Sequence, residues 1–379
     1  MLEFIGRKIS SINLAAGDFN LNHRQSEKYL RCKISYCEKE VLLHHSLVRQ
    51  DWKKPPMCGQ YIRLQVIIIY RKELYNITMK FLYWNINNQQ IPFEEKLKEL
   101  LSDKEIDVLI LSENRNITDS KLTLDTDLVT VPLFLNNSKL KWINVYYRKN
   151  DNYQITHFHE FTEIEHDEDN VVDGLKKGNT RQVNRIQIFK ISGNIPDTFF
   201  ACIHFPSKLF HDEITHLQIV QNYISKIHNA TNVSDRLFVV GDFNMDPFEY
   251  AMVEPKGFNA HNNRDLVVSD TKFKFGSHNI LYYNPSWTLL GDFVNKLDYS
   301  KHKRTGGSFY FKKKISRSLY WHLIDQIIMR KSLINEFVSE DLEIIENEFI
   351  KTEILREPKK NENKIDHFPL KFSFNFKTK

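Results

Sequence analysis

The sequence predicts an α/β sandwich, two packed β-sheets flanked by helices. Apolar runs of strand length recur along most of the chain, and few stretches of helical spacing lie between them. Several of those runs close on polar residues, as buried strands do where they meet a sheet edge. A doubly wound sheet would place a helix after nearly every strand, so this ratio favours two sheets packed face to face. With 379 residues, 41% hydrophobic and 27% charged, the chain can bury a sizeable core.

The first 78 residues stand apart. They hold 13 Lys+Arg against 7 Asp+Glu, while the remainder holds 40 against 41, so the basic excess behind the net charge of +5 lies before Met79. Cys32, Cys37 and Cys58 also fall there, and Cys202 is the fourth cysteine. No paired C-x-x-C occurs, and Cys32, Cys37, His44 and His45 fit no common zinc spacing. Four scattered cysteines suit a reducing compartment. The N-terminus lacks the apolar core of a secretion signal. The longest apolar run, Val66-Ile67-Ile68-Ile69-Tyr70, is far below the ~20 residues that span a bilayer. The expectation is a cytoplasmic protein with no stable membrane insertion. Residues 1–78 are expected to be an extension, either an appended basic module or an upstream start, and residues 79–379 the main domain. A Gly17-Asp18-Phe19-Asn20 sequence inside the extension reads as a turn.

From Met79 the elements follow in order. Residues 80–85 form an apolar run ending on Asn85, a buried strand. Pro92 suits the first position of a helix whose apolar face is Phe93, Leu97, Leu100 and Leu101. Further strands are expected at 106–111, 143–147, 185–191, 199–204, 236–240 and within 319–329. Ile214, Leu217, Val220, Tyr223, Ile224 and Ile227 mark an amphipathic helix. Asp246 and Pro247 read as an N-cap and first residue of a short helix. The acidic stretch 163–169 reads as a solvated loop. Leu370, Phe372, Phe374 and Phe376 alternate with polar residues, so the tail is expected to be a half-exposed strand.

The polar residues at strand ends carry the chemistry. They are Asn85, Glu113, His204, Asp242 with Asn244, Asp325, and Asp366 with His367. Carboxylate and amide oxygens are what a hard cation such as Mg2+ takes, and Asn85, Glu113 and Asp366 supply them. A bound cation neutralises phosphate charge, which suits phosphoester hydrolysis by water. Asp242 and His367 are candidates for activating the water, Asn244 for holding it or the phosphate. Asp325 is placed to orient His367, and His204 to donate to a phosphate oxygen. Each residue also has an ordinary structural reading. Asn85, Asp242 and Asn244 suit strand ends and turns, Glu113 a surface, His204 a core, and Asp366-His367 the start of a strand.

Six short motifs in order resemble the endonuclease/exonuclease/phosphatase superfamily. They are Trp84-Asn85, Ser112-Glu113-Asn114, His204-Phe205-Pro206, Gly241-Asp242-Phe243-Asn244, Leu323-Ile324-Asp325-Gln326 and Asp366-His367-Phe368-Pro369. The resemblance spans about 300 residues from Met79. Any one motif is weak; six in order, each against a strand-like run, are not. The resemblance implies a four-layered α/β sandwich with Mg2+ or Mn2+ in a cleft. It implies Glu113 as main metal ligand, Asn85 and Asp366 beside it, Asp242 and Asn244 around the attacking water, and Asp325 supporting His367. His204 matches the deoxyribonuclease and sphingomyelinase branches, whereas exonuclease III-like enzymes carry a tyrosine there. Ile365 replaces a serine that often precedes the Asp-His pair.

The expected activity is a metal-dependent phosphodiesterase acting on DNA or RNA. A phosphomonoesterase, a phospholipid head-group hydrolase and a silent binding module are the alternatives. A polyanion needs local basic surface, and 176–181 and 301–307 are the basic segments that would provide it. Ser207 and Lys208 could also reach a phosphate. Leu281, Tyr282, Tyr283 and Trp287 read as core as easily as a lipid-facing insertion. Oligomeric state is not legible.

Overall fold

Two strand–helix–strand units organise the protein. In the computed structural model the described residues are 33–36, 39–42, 76–87, 93–114, 127–132, 143–166, 171–172, 175–176, 180–207, 213–269, 280–293, 303–311, 321–356 and 364–379. Met1–Glu73 and Leu74–Lys379 are separate compact units. In the first, β1 (Lys33–Tyr36) and β2 (Lys39–Leu42) pair antiparallel. Gly17–Asn20, Cys32, Cys37, Cys58, His44, His45 and the run 66–70 lie outside the described residues.

The second unit begins with β3 (Asn76–Asn85), α1 (Phe93–Asp103) and β4 (Val108–Ser112). β3 and β4 are parallel neighbours, as a helical crossover requires. Leu97, Leu100 and Leu101 are the buried face of α1. β5 (Leu128–Thr130) and β6 (Ile143–Arg148) extend this sheet beyond β4. A long hairpin follows, β7 (Tyr153–His166) and β10 (Thr180–Gly193), with the short pair β8 (Val171–Val172) and β9 (Leu175–Lys176) between them. The acidic stretch is therefore strand as far as His166, because its alternating partners continue up β10 as far as Thr180; residues 167–169 lie outside the described residues.

The second crossover unit is β11 (Thr198–His204), α2 (Glu213–Thr231) and β12 (Leu237–Asp242). The buried face of α2 is His216, Val220, Tyr223, Ile227 and Thr231, and Ile214 is 69% exposed. Val220, Tyr223 and Ile227 of the expected face are buried, His216 and Thr231 continue it at the same three-to-four spacing, and Leu217 and Ile224 pack half-buried at its edge. After β12 come β13 (Ala260–His261), β14 (Tyr282–Tyr283), β15 (Gly291–Phe293), β16 (Lys303–Gly306), β17 (Phe309–Tyr310), β18 (Trp321–His322) and β19 (Asp325–Met329). β15 pairs with β16 and β17 with β18. β20 (Phe337–Ile344), α3 (Glu348–Leu355) and β21 (Leu370–Lys377) complete the order.

The strands make a six-stranded sheet, β20-β21-β3-β4-β6-β5, and a seven-stranded sheet, β13-β14-β19-β12-β11-β10-β7. They pack face to face. Phe81 of β3 meets Phe200 of β11 and Phe238 of β12 edge-on, at 6.2 and 5.5 Å between ring centroids, and stacks on Phe372 of β21 at 5.0 Å. α2 covers the outer face of the seven-stranded sheet through Val220, Tyr223 and Ile227, which join Ile186, Ala201 and Val239 in one apolar cluster. The fold is an α/β sandwich, two β-sheets flanked by helices. The tail strand β21 lies between β20 and β3, and Phe372, Ser373, Phe374 and Phe376 are all buried. Its apolar residues face the core, while on the other face Lys371 and Asn375 are half-buried and Lys377 exposed; Ser373 alone of that face is buried, donating to Asp341 at 2.5 Å.

Asp246 does not cap a helix. Its oxygens accept from Leu323 N and His322 Nδ1, each at 2.8 Å, and the next helical turn starts at Tyr250. A carboxylate already held by two donors has no oxygen placed for the amides of a first turn. Among the described residues no helix is long and apolar enough to cross a membrane.

Candidate functional site

Strand register brings the strand-end residues together. β3 and β4 are parallel, so Asn85 lies beside Ser112 and Glu113 follows directly. β11 and β12 are parallel too, with His204 beside Asp242. β19 runs antiparallel to β12 and starts at Asp325, which faces Asp242. β21 runs antiparallel to β3 from Leu370, opposite Tyr83, so Asp366 and His367 precede it at the same edge. Open α/β sheets place ligands at the carboxyl ends of their parallel strands, and here two such ends share one edge.

Gly241 shows why this register needs its residue. It faces Ile203 across β11 and β12 with φ +153°, and a Cβ there would strike the Ile203 carbonyl oxygen. Its absence lets the two strands close, which sets His204 against Asp242. Asn87, Glu113 and Asn244 also take positive φ, at 45°, 52° and 50°. Backbone strain at non-glycine residues collects at sites whose surroundings over-determine it.

The side chains form a connected net. Asn85 Nδ2 donates to Glu113 Oε1 at 3.1 Å and to Asp242 Oδ2 at 3.2 Å, while its oxygen accepts from Asn87 N. His204 Nε2 donates to Glu113 Oε1 at 2.9 Å and lies 3.7 Å from Asp242 Oδ2. His367 Nδ1 donates to Asp325 Oδ2 at 2.8 Å, and its Nε2 stands 3.9 Å from Asp242 and 3.8 Å from Asp366. Asn244 N donates to Asp242 Oδ1 at 2.7 Å, and Asn244 Nδ2 donates to the Phe205 carbonyl at 2.7 Å. All eight residues named from the sequence meet at this edge. Asp242, Asp325 and His367 each bring a ligand atom within 4.8 Å of the others. His367 and Asp325 already spend theirs on one another, which makes them an acid–imidazole pair before they are ligands.

Charge is unevenly held. Burial opposes ionisation of Glu113, but the hydrogen bond and charge of the His204 ring, with Asn85 and His367, outweigh it and hold the carboxyl down at about 2. Burial pushes Asp366 up to about 6, and Glu113 and Asp325 push the same way. Burial likewise raises Asp242. Burial alone would lower His367, but the charge and hydrogen bond of Asp325, then Asp366 and Asp242, carry it up to about 10.

Three residues of the net escape the sequence reading. Arg185, at the head of the central part of β10, donates through Nη1 to His204 Nδ1 at 2.8 Å and to the His204 carbonyl at 3.1 Å, which leaves Nε2 as the donor toward Glu113. Asn87 Nδ2 donates to the Lys364 carbonyl at 2.9 Å and to Asp366 Oδ2 at 3.2 Å. Ser308, fully buried, accepts from Asp325 N through Oγ at 3.1 Å and from Phe368 N through its carbonyl at 2.7 Å. A charged residue opening an apolar strand, and an asparagine two places past a strand end, are the only signals that pointed to the first two. Of the basic segments, Lys176 closes β9, Arg181 belongs to β10 and Lys303–Gly306 is β16. They are thus partly strand, set by pairing with neighbours, and residues 177–179, 301 and 302, like Lys208, lie outside the described residues.

No family model matches the sequence, and no curated protein matches it. Solved structures match over most of the chain, and they are endonuclease/exonuclease/phosphatase family structures. The human Nocturnin catalytic domain with bound sulfate is 14% identical, with a TM-score of 0.42 over 79% of this chain and 97% of that one. The 3′ phosphatase NExo from Neisseria, bound to a product DNA hairpin, is 12% identical, with a TM-score of 0.43 over 78% and 99%. An endonuclease/exonuclease/phosphatase family protein from Bacteroides thetaiotaomicron is 12% identical, with a TM-score of 0.42 over 80% and 99%.

Proposed function

We propose that the protein is a divalent-metal-dependent phosphodiesterase that cleaves DNA or RNA with an activated water. One observation carries the reading. Four carboxylates, Glu113, Asp242, Asp325 and Asp366, converge and are bridged by Asn85, His204 and His367. So many acids at one edge call for a cation or for protons; burial first, and neighbouring carboxylates after it, raise Asp366 and Asp242.

A hard cation fits the residues present. Asp366 Oδ1 is covered from solvent and accepts no hydrogen bond among the described residues. Glu113 stays ionised and its charge adds to the rise of Asp366, a repulsion that a hard cation such as Mg2+ or Mn2+ held by both would relieve. Glu113 and Asp366 would hold the ion, with Asn85 beside them clamping Glu113. When bound, the ion supplies neutralisation of the phosphate and stabilisation of the leaving oxygen.

The chain's own groups do the rest. Asp242 takes the proton of the attacking water, since burial lifts its carboxyl toward the working range. Asn244, fixed by Phe205 and Asp242, orients that water. His367 is kept protonated by Asp325 and donates through Nε2 to a phosphate oxygen. His204, its Nδ1 taken by Arg185, holds Glu113 through Nε2 and would share that N–H with a phosphate oxygen. The basic segments 176–181 and 301–307 supply the surface for a polyanionic strand.

Hydrolysis is expected to require Mg2+ or Mn2+ and to vanish in excess EDTA. Glu113→Gln is expected to abolish turnover while its circular dichroism stays native. The screen covers single- and double-stranded DNA and RNA, sphingomyelin vesicles and a small aryl phosphate ester. Undiminished activity in EDTA would refute the metal, and turnover confined to lipid or to the small ester would refute the substrate.

A further inference from the structure

Just past the catalytic turn the surface turns aromatic. Asp246 is fixed by Leu323 N and His322 Nδ1, and its own N–H donates to Glu249 Oε1 at 2.8 Å. On the backbone held by these bonds Phe248 is 56% exposed and Tyr250 45% exposed. The Phe248 ring lies beside Trp287, with centroids 6.0 Å apart and planes at 54°. Trp287 is half-buried, and its indole N–H is covered yet donates to nothing among the described residues. It belongs to a 3₁₀ turn, Pro285–Leu289, whose leading Asn284 donates to Gln326 Oε1 at 2.8 Å. Gln326 follows Asp325 directly and also donates to the Met245 carbonyl at 2.5 Å.

Both rings are thus mounted on segments tied within a few residues of the catalytic groups. Three residues lie between Asn244 and Phe248, so their Cα atoms are at most about 14 Å apart. That is about four steps of a stacked strand at ~3.4 Å each.

We propose that Phe248 and Trp287 form a stacking platform for an unpaired base of the strand whose phosphate occupies the site, so that single-stranded or frayed nucleic acid is the preferred substrate. The proposal rests on the nucleic-acid reading above. A rigid ring with an open face, within a few nucleotides of the reacting phosphate, is what base stacking needs, and stacking asks for no sequence. Glu249 flanks the platform, and Glu254, with Glu213 more weakly, pushes the Tyr250 hydroxyl up, so the surface beside the rings is acidic. Carboxylates repel phosphates, so a strand stacked on the rings has to carry its backbone away from this side.

The test is steady-state cleavage of a short single strand by wild type, Phe248→Leu and Phe248→Trp in Mg2+. Leucine keeps apolar bulk and loses the ring. Stacking at about 1–3 kcal/mol per base predicts a KM raised about fivefold to about a hundredfold in Phe248→Leu. Phe248→Trp is expected to restore it. The dependence of log KM on log NaCl is expected to keep its slope in Phe248→Leu, because stacking releases no counterions. A scan of abasic positions along the strand is expected to find one, within about four steps of the cut, that raises the wild-type KM equally and adds nothing in Phe248→Leu. An unmoved KM, or an equal rise on an intact duplex, overturns the platform while leaving the nuclease reading intact. If wild type cleaves no DNA or RNA, the nuclease reading fails and the platform falls with it. If Phe248→Leu instead loses sedimentation with phosphatidylcholine–sphingomyelin vesicles, the patch docks lipid and the proposal is overturned.

Discussion

At the scale of the residue, the same side chains that make the site reactive make the fold hard to satisfy. Asp325 is fully buried, and its Oδ1 accepts nothing among the described residues. An acid so placed costs stability unless its other oxygen is well used, and His367 at 2.8 Å uses it. Replacing Asp242, His204 or His367 by Ala is expected to lower turnover on the right substrate by on the order of 10² or more each, because each acts on a proton or a charge in the transition state. Wild-type rates in all three, with folding checked by circular dichroism, would refute the assignment of roles. Asn85, Glu113, His204, Asp242, Asp325 and His367 were legible in the sequence because each closes, opens or follows an apolar run, where a polar residue needs a reason. Arg185, Asn87 and Ser308 were not, since their partners are His204, Asp366 and Asp325, far away in sequence and brought near only by register and by a hairpin.

At the scale of the element, periodicity located strands and helices better than it located their faces. Helix α2 was legible, but Ile214 counts as apolar in any pattern and still lies in solvent. β21 reads as alternating and packs so, with Phe372, Phe374 and Phe376 buried and Lys371, Asn375 and Lys377 less so; Ser373, buried on the polar face, is what alternation does not show. Of the long hairpin the sequence showed 185–191 within β10, while β7 escaped because the acidic residues at its end, up to His166, hide a strand pattern that only pairing reveals. That hairpin holds a buried imidazole. His157 on β7 packs against Phe189 of β10 at 5.2 Å between ring centroids, and burial, helped by His159, pushes it down to about 4. Glu160 Oε2 at 3.8 Å is beyond hydrogen-bond range. The unfolded chain binds a proton at this residue below about 6.5, and the folded chain only below about 4. Stability contributed here is therefore whole above pH 6.5 and is lost as pH falls toward 4, by about 3 kcal/mol at the end of the window. His157→Phe, which keeps the ring contact, is expected to flatten that acid limb in thermal melts taken from pH 4 to 7. An unchanged limb would mean that other groups carry it.

At the scale of the whole molecule, Leu74–Lys379 is compact by itself, and its first strand starts before Met79. Asn76, Ile77 and Thr78 pair with Lys377, Phe376 and Asn375. A chain of residues 74–379 is expected to fold and keep activity, whereas one of residues 79–379 is expected to keep activity with a lower melting temperature, having lost three pairs of the ladder. Equal melting temperatures would show those pairs to be idle, and an inactive 74–379 chain would assign the extension a part in catalysis. Raising NaCl from about 50 to 200 mM is expected to slow cleavage strongly, and Lys301→Ala, Lys303→Ala and Arg304→Ala together to raise KM more than they lower kcat. A cleavage rate indifferent to salt would count against phosphate contacts.

The place of β21 bears on how the protein is made. A nascent chain emerges N-terminus first, at about 5–20 residues per second. β3 is available early, but its partner at Leu370–Lys377 and the pair Asp366 and His367 are synthesised some 290 residues later. Until they leave the ribosome the six-stranded sheet is missing an inner strand and the site lacks one of its two imidazoles and one carboxylate. On the reading given above, the growing polypeptide lacks a complete site until that segment has emerged, and the messenger RNA beside it is the kind of polymer that the complete site would attack.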